Sequence, residues 1–144
     1  MITLTQKLER SDLFDATLSL PIDMRIKSRA KVILDDGREA GIFLERGSLL
    51  RNGDLISGPQ GLIVKIIAAK EPVSTVHCGN ALLLTKAAYH LGNRHVPLQI
   101  EQNLLRYQHD HVLDEMLKKM GLDVVVEEAA FEPEAGAYQQ HSHS

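Results

Sequence analysis

The fold of the C-terminal half is decided by residues 73–100, which read VSTVHCGNALLLTKAAYHLGNRHVPLQI. The stretch opens with a strand-like segment, after which Gly79-Asn80 predicts the start of a helix with Asn80 as its N-cap. Apolar residues then recur at the i, i+3, i+4, i+7 spacing of one helix face, at Leu84, Ala87, Ala88 and Leu91. Gly92-Asn93 predicts the end of this helix, and Val96–Ile100 predicts a second strand.

The residues downstream complete a recognisable order of elements. Residues 104–108 predict a strand. A second amphipathic helix is predicted over Val112–Met120, with Asp110 before it and Gly121 after it. A final strand is predicted over Leu122–Glu127. The order β-α-β-β-α-β is that of the split βαβ, or ferredoxin-like, arrangement.

Upstream, residues 1–71 place apolar side chains mostly at every second position, which predicts strands. The clearest hairpin joins residues 30–34 to residues 40–44 through the turn Asp35-Asp36-Gly37-Arg38, because Asp-Gly readily adopts the positive φ angles of a tight turn. The nearly continuous apolar segment Leu62–Ala68 predicts a central strand.

These patterns predict an α+β protein with three parts. Residues 1–71 form a β-rich N-terminal domain, and residues 72–134 form a ferredoxin-like domain. Residues 135–144 form a short flexible tail. The segment from Phe131 onward is punctuated by proline and glycine and lacks the apolar content to fold by itself.

Residues 25–31 alternate basic side chains with small or apolar ones, in the order Arg-Ile-Lys-Ser-Arg-Ala-Lys. One interpretation is an edge that binds an anion or a protein. The other is an exposed strand face whose cations discourage edge-to-edge aggregation.

Composition excludes several classes of function. The net charge of −3 argues against nucleic acid as a partner. One cysteine, Cys78, cannot form an internal disulfide, which favours a reducing compartment. The first ten residues lack the apolar core of a secretory leader, and no apolar run approaches the roughly 18 residues of a membrane helix. We therefore expect a cytoplasmic protein without a membrane partner.

The chain carries seven histidines against six Tyr and Phe and no Trp, and all seven lie in the second half. Imidazole is the commonest metal ligand near neutral pH and suits Zn, Cu and Ni. His109 and His111 share a face only if the backbone between them is extended, so they are either ligands or surface histidines. His95 lies in a loop, and a twofold homodimer would let this one residue supply two ligands.

The remaining histidines are weaker candidates. We interpret His77, on a strand, and His90, in the last turn of the first helix, as structural. Cys78 is interpreted as a small buried hydrophobe. His141 and His143 lie in the tail, where they can capture metal weakly without defining a geometry.

Three segments carry a resemblance to a known family. They are residues 89–99 (YHLGNRHVPLQ), residues 106–114 (RYQHDHVLD) and residues 131–138 (FEPEAGAY). Together they resemble the urease accessory protein UreE family, and the resemblance extends over the whole chain.

The resemblance implies a homodimeric nickel metallochaperone that delivers Ni²⁺ to apo-urease, with the other urease accessory proteins, including the accessory GTPase, as partners. It implies a peptide-binding-like N-terminal domain and a C-terminal domain that binds metal and dimerises. His95 matches the interface histidine of the family, and His109 and His111 match peripheral metal-binding histidines. His141 and His143 match a histidine-bearing tail that is much longer in many members. Cu²⁺ or Zn²⁺ can replace Ni²⁺ at such sites.

Two other functions compete with this one. A metal-dependent hydrolase would need three fixed ligands and a general base, for which Asp110 or Asp114 are the candidates, but the sequence has no HExxH-like helix pair. We therefore predict that the chain is not an enzyme. The alternative is a protein-binding adaptor whose β-rich domain docks extended segments at a strand edge, with incidental metal binding.

Overall fold

A computed structural model describes residues 1–9 and 13–136. The chain divides into two compact units, the first from Met1 to Ala69 and the second beginning at Lys70. Strands dominate the first unit, whereas the second combines strands with two longer helices. The predicted α+β class with a β-rich N-terminal part is therefore confirmed. No helix in the described ranges is long and apolar enough to cross a membrane.

The first unit is built from short strands and one helical turn. In chain order these are β1 (Ile2–Leu4), β2 (Gln6–Leu8), β3 (Ala16–Leu20), α1 (Ile22–Arg25), β4 (Arg29–Ile33), β5 (Glu39–Phe43), β6 (Leu55–Ser57) and β7 (Val64–Ala68). They form two sheets with the orders β1-β5-β4 and β2-β6-β7-β3. Alternating apolar side chains from both sheets pack into one core. Since β7 lies between two other strands, the predicted central strand is confirmed.

The predicted hairpin is formed by β4 and β5. The two strands pair antiparallel, with Ala30 opposite Ile42. Gly37 has a φ of 96°, and its N–H donates to the carbonyl oxygen of Leu34 at 2.8 Å. Glycine meets this positive φ without the steric cost of a Cβ atom, so the Asp-Gly turn is confirmed.

The structure corrects the prediction for the start of the basic segment. Arg25 is not on a strand edge: it ends α1 and is completely buried. Its guanidinium donates to the carbonyl oxygens of Leu20 and Leu50, at 3.0 and 3.1 Å. A planar guanidinium with several donors can bond to two separated carbonyl oxygens. These hydrogen bonds outweigh the alternating sequence pattern, which favours a strand. Only the later cations of the segment, such as Arg29 and Lys31, are exposed on β4.

The Asp35 side chain connects the β4–β5 turn to β3 through hydrogen bonds. Because its carboxylate accepts them, we expect the stability of the fold to depend on pH. The Asp35 carboxylate accepts from the hydroxyls of Thr17 and Ser19, at 2.7 and 2.9 Å. The Thr17 hydrogen bond above all lowers the pKa of Asp35 below its ordinary 3.8. A lowered folded pKa stabilises the fold above that ordinary value and ceases to do so as pH falls through the folded pKa.

We expect Asp35→Asn to lower the free energy of unfolding at neutral pH by about 1 kcal/mol, since solvent screens this exposed group. The difference from the parent chain should disappear in strong acid. Urea unfolding across a pH series measures it, with the exposed Glu39→Gln as the matched control. A difference that persists unchanged in strong acid would rule out the carboxylate as its source.

The second unit alternates strands and helices in the predicted order. Its elements are β8 (Lys70–His77), α2 (Ala81–Asn93), β9 (Gln99–Glu101), β10 (Leu104–Gln108), α3 (His111–Lys119) and β11 (Val125–Ala130). The sheet order is β11-β8-β10-β9, and every neighbouring pair is antiparallel. Apolar faces of α2 and α3 share one core with β8 and β10. The ferredoxin-like arrangement is confirmed.

Both helices of the second unit begin at the predicted caps. The Asn80 side chain accepts from the backbone N–H of Leu83 at 3.1 Å. The Asp110 side chain accepts from the N–H groups of Val112 and Leu113, at 2.9 and 3.1 Å. These bonds satisfy helix N–H groups that have no partner within the helix.

The last strand of the second unit starts three residues later than predicted. The last strand begins at Val125, because Leu122 completes the C-terminal cap of α3: its N–H donates to the Leu117 carbonyl at 3.0 Å, next to Gly121 with a φ of 97°. The segment from Phe131, which lacks the apolar content to fold by itself, packs against the rest of the second unit. Phe131 is completely buried, and the N–H of Glu134 donates to the Leu98 carbonyl at 2.8 Å.

Candidate metal-binding groove

The loop after α2 ends the helix with a histidine in a position that usually belongs to glycine. The helix continues to Asn93, so the predicted cap at Gly92-Asn93 is wrong. His95 has a φ of 59°, and its N–H donates to the Gly92 carbonyl at 2.9 Å. The N–H of Val96 donates to the Leu91 carbonyl at 3.2 Å. This pair of bonds is the Schellman motif, in which the left-handed residue is most often glycine.

The left-handed conformation of His95 costs free energy that the cap does not require. A side chain at positive φ crowds the backbone, and glycine would avoid that crowding. In the equivalent cap of α3 the left-handed residue is Gly121. The His95 side chain is exposed rather than packed in the core. Because His95 is strained and yet exposed and polar, its imidazole is expected to have a role other than stabilising the fold.

An open groove of about 390 Å³ lies beside His95. It is lined by the loop after α2 and by the junction of β10 with α3: Arg94, His95, Val96, Pro97, Gln108, His109, Asp110 and Leu113. The fold therefore brings together two of the predicted ligands, His95 and His109. They come from positions 14 apart in sequence, and the antiparallel sheet places their loops side by side.

A buried network of polar side chains contacts the ring of His109 at Nδ1. Its Nδ1 lies 3.2 Å from the Asp114 carboxylate and 3.2 Å from the Ser74 hydroxyl. The Tyr107 hydroxyl donates to the other carboxylate oxygen of Asp114 at 2.5 Å. Ser74 and Tyr107 are completely buried and Asp114 is 3% exposed, whereas the His109 side chain is 37% exposed. The ring is thus contacted at Nδ1 by buried groups, while the side chain as a whole is partly exposed at the groove.

The network also changes the acidity of Tyr107. Burial, reinforced by the hydrogen bond to Asp114, raises the pKa of this phenol far above its ordinary value of 10. Tyr107 therefore keeps its proton throughout the physiological pH range and serves as a permanent donor to Asp114.

His111 is separated from this arrangement. It is the first residue of α3, it is exposed, and it does not line the groove. Within residues 1–9 and 13–136, no group of three or more His, Cys, Asp or Glu side chains is close enough together to hold a metal ion. His141 and His143, the predicted tail ligands, lie outside the described residues.

The histidines interpreted as structural lie elsewhere. His77 ends β8 opposite Leu104 and is exposed. His90 lies in the last turn of α2 as predicted, and its ring stacks edge-on against Tyr89 with 5.1 Å between centroids. Cys78 packs against the apolar core of the second unit as a small hydrophobe would, but it is only partly buried.

The sequence alone does not identify the partners of His109. Ser74 and Tyr107 were not among the predicted site residues, and Asp114 was considered only as the base of a hydrolase. One signal was available: Asp114 lies three positions before Leu117, on the buried face of α3. An acidic residue on the apolar face of an amphipathic helix needs a buried hydrogen-bonding partner.

Comparisons with known proteins agree over the whole chain. Residues 3–69 match the UreE urease accessory protein N-terminal domain, and residues 71–144 match the C-terminal domain of the same family. A urease accessory protein UreE of Pseudomonas putida (strain W619) is 60% identical over 145 residues, covering 100% of this chain and 90% of that protein. Those of Enterobacter sp. (strain 638) and Escherichia coli O157:H7 are 59% and 54% identical, covering 95% and 94% of those proteins and all of this chain. The chain belongs to the UreE urease accessory protein family.

Proposed function

We propose that this chain is a non-catalytic nickel carrier that acts in urease maturation in the cytoplasm. The observation that carries the proposal is His95, an exposed imidazole held at positive φ where glycine would be less strained, on a groove that also contains His109. Membership of the urease accessory family supports urease maturation as the process. The histidine ligands supply the metal class, since imidazole suits Ni²⁺ as well as Cu²⁺ and Zn²⁺.

A metal carrier is best served by a site for which one chain does not supply all of the ligands. A carrier must withhold its metal from solution and still release it to an acceptor. Two copies of His95 across a twofold axis provide two ligands and leave positions open for exchange. His109 and His111 serve as peripheral ligands, and His141 and His143 of the tail capture metal weakly. The acceptors are apo-urease and the other accessory proteins, including the accessory GTPase.

A specific observation also favours the adaptor function for the first unit. β4 ends the sheet order β1-β5-β4 and exposes Arg29, Lys31 and Ile33 on one face, next to Phe43 of β5. The Arg29 guanidinium lies 5.7 Å from the centroid of the Phe43 ring. A charged and apolar strand face of this kind can pair with an extended segment of another protein. We propose this surface as the docking part of the carrier.

The stoichiometry of nickel tests the proposal. We expect the tightest class of sites to hold about half a nickel ion per chain, on a complex with the mass of a dimer. Equilibrium dialysis with elemental analysis and native mass spectrometry measures both quantities. His77→Ala is the matched control, because it removes an exposed histidine outside the groove and should leave the ratio unchanged. A tight ratio of one ion per monomeric chain contradicts the shared site, and absence of stoichiometric nickel favours an adaptor.

A further inference from the structure

Asp114 is a buried carboxylate whose hydrogen bonds constrain the ring beside it. An ionised carboxylate only accepts hydrogen bonds, and it is costly to bury without donors. Tyr107 donates to one of its oxygens at 2.5 Å, and Nδ1 of His109 faces the other at 3.2 Å. The arrangement is satisfied when Nδ1 carries the proton. The neutral imidazole then has its lone pair on Nε2, on the opposite side of the ring from Asp114.

We infer that Asp114, itself oriented by Tyr107, is the positioning residue of His109: it holds the ring so that Nε2 presents its lone pair to a metal ion at the groove. The inference rests on the proposed function for the identity of the ion. Metal-binding histidines commonly donate their other ring N–H to a carboxylate, which fixes the ring and makes the ligating nitrogen more basic.

The two histidines beside α3 differ in this respect. His109 is anchored by the buried network, whereas His111 is an exposed residue in the first turn of the helix. Holding a ring before the metal arrives lowers the conformational entropy lost on binding. We therefore assign His109 as the stronger of the two peripheral ligands and Asp114 as the reason for the difference.

The protonated nitrogen can be observed directly in the metal-free chain. Nitrogen NMR of the ¹⁵N-labelled imidazole rings is recorded at about pH 8, where an ordinary histidine is neutral. We expect His109 to carry its proton on Nδ1. A neutral His109 protonated on Nε2 would overturn the inference. Because no metal is present, this measurement stands even if nickel proves to be the wrong cargo.

Asp114→Asn then tests the consequence for metal binding. Asparagine keeps the shape of the side chain but has one acceptor oxygen, so it cannot accept from Tyr107 and His109 through separate oxygens. The variant is made in a chain that also carries His95→Ala, His141→Ala and His143→Ala, so that the remaining nickel binding reports on the peripheral histidines. We expect the affinity to fall about 10-fold to 100-fold and the ring of His109 to lose its single tautomer, with the His111 resonances unchanged.

Two further variants separate positioning from general damage. Glu115→Gln changes an exposed acid on the same helix and should leave both measurements unchanged. Tyr107→Phe keeps the carboxylate on His109 and should preserve its tautomer, with a smaller loss of affinity than Asp114→Asn. If Tyr107→Phe matches or exceeds Asp114→Asn in both measurements, or if folded Asp114→Asn binds nickel like its parent, Asp114 is not the positioning residue.

Discussion

Replacing His95 with glycine is expected to remove the tightest nickel site and, at the same time, to stabilise the second unit. Glycine accepts the φ of 59° without crowding, so the free energy of unfolding should rise by about 1 kcal/mol. The loss of one imidazole from each chain of a dimer should weaken nickel binding roughly 100-fold or more, since changes to groups that only support a ligand already cost up to about that much. Urea unfolding and equilibrium dialysis measure the two effects.

Two companion variants separate strain from ligation. His95→Ala removes the imidazole and keeps a Cβ atom at positive φ, so it should lose nickel without gaining stability. His95→Asn should fall between alanine and glycine in stability, because asparagine tolerates the left-handed conformation better than most residues. If the metal-free His95→Gly variant is less stable than the parent chain, the left-handed conformation of His95 is not strained. If any of the three variants keeps the tight site, His95 is not its ligand.

Local chemistry explains the parts of the fold that the sequence predicted well. Asn80 and Asp110 each bond to backbone N–H groups within three residues, and Gly37 closes its turn on Leu34. Such interactions involve neighbours in the chain, so residue types and their spacing suffice to predict them. The order of strands and helices in the second unit follows from the same kind of signal.

α2 ends two residues later than predicted, because the preference for glycine at a helix end competes with packing against the apolar core. Gly92 is the residue type that usually takes the left-handed position, yet the helix continues through it and places His95 there instead. The choice puts Val96 against the same apolar core as Leu91. Packing at the end of the helix therefore outweighs the preference for glycine, and only the three-dimensional contacts show it.

The sequence singles out the two histidines that line the candidate groove, but not the residues that contact His109. His95 and His109 could be selected by residue type, since imidazole is a metal ligand wherever it is accessible. Ser74 and Tyr107 look like ordinary strand residues, and their role depends on β8 and β10 pairing so that Tyr107 lies opposite Ser74. A hydrogen bond between Ser74 and His109, which lie 35 positions apart in the sequence, leaves no local pattern.

Arg25 is the residue of the first unit whose replacement we expect to change stability most. Arg25→Ala would leave the carbonyl oxygens of Leu20 and Leu50 without the guanidinium that donates to them, and it would open a cavity where a completely buried side chain now lies. We expect the free energy of unfolding to fall by about 3 kcal/mol or more. Urea unfolding measures the loss, and faster amide hydrogen exchange in β3 and β4 locates it.

Two substitutions give this prediction its contrast. Lys27→Ala removes an exposed cation of the same basic segment and should change the free energy of unfolding by no more than about 0.5 kcal/mol. Arg25→Lys keeps the charge but lacks the planar fork that reaches both carbonyls, so it should recover only part of the lost stability. If Arg25→Ala and Lys27→Ala were equally mild, the buried guanidinium would not hold α1 to the rest of the unit. The basic segment would then act as a surface segment throughout, as both interpretations of its sequence assume, and Arg25 would not be an internal anchor.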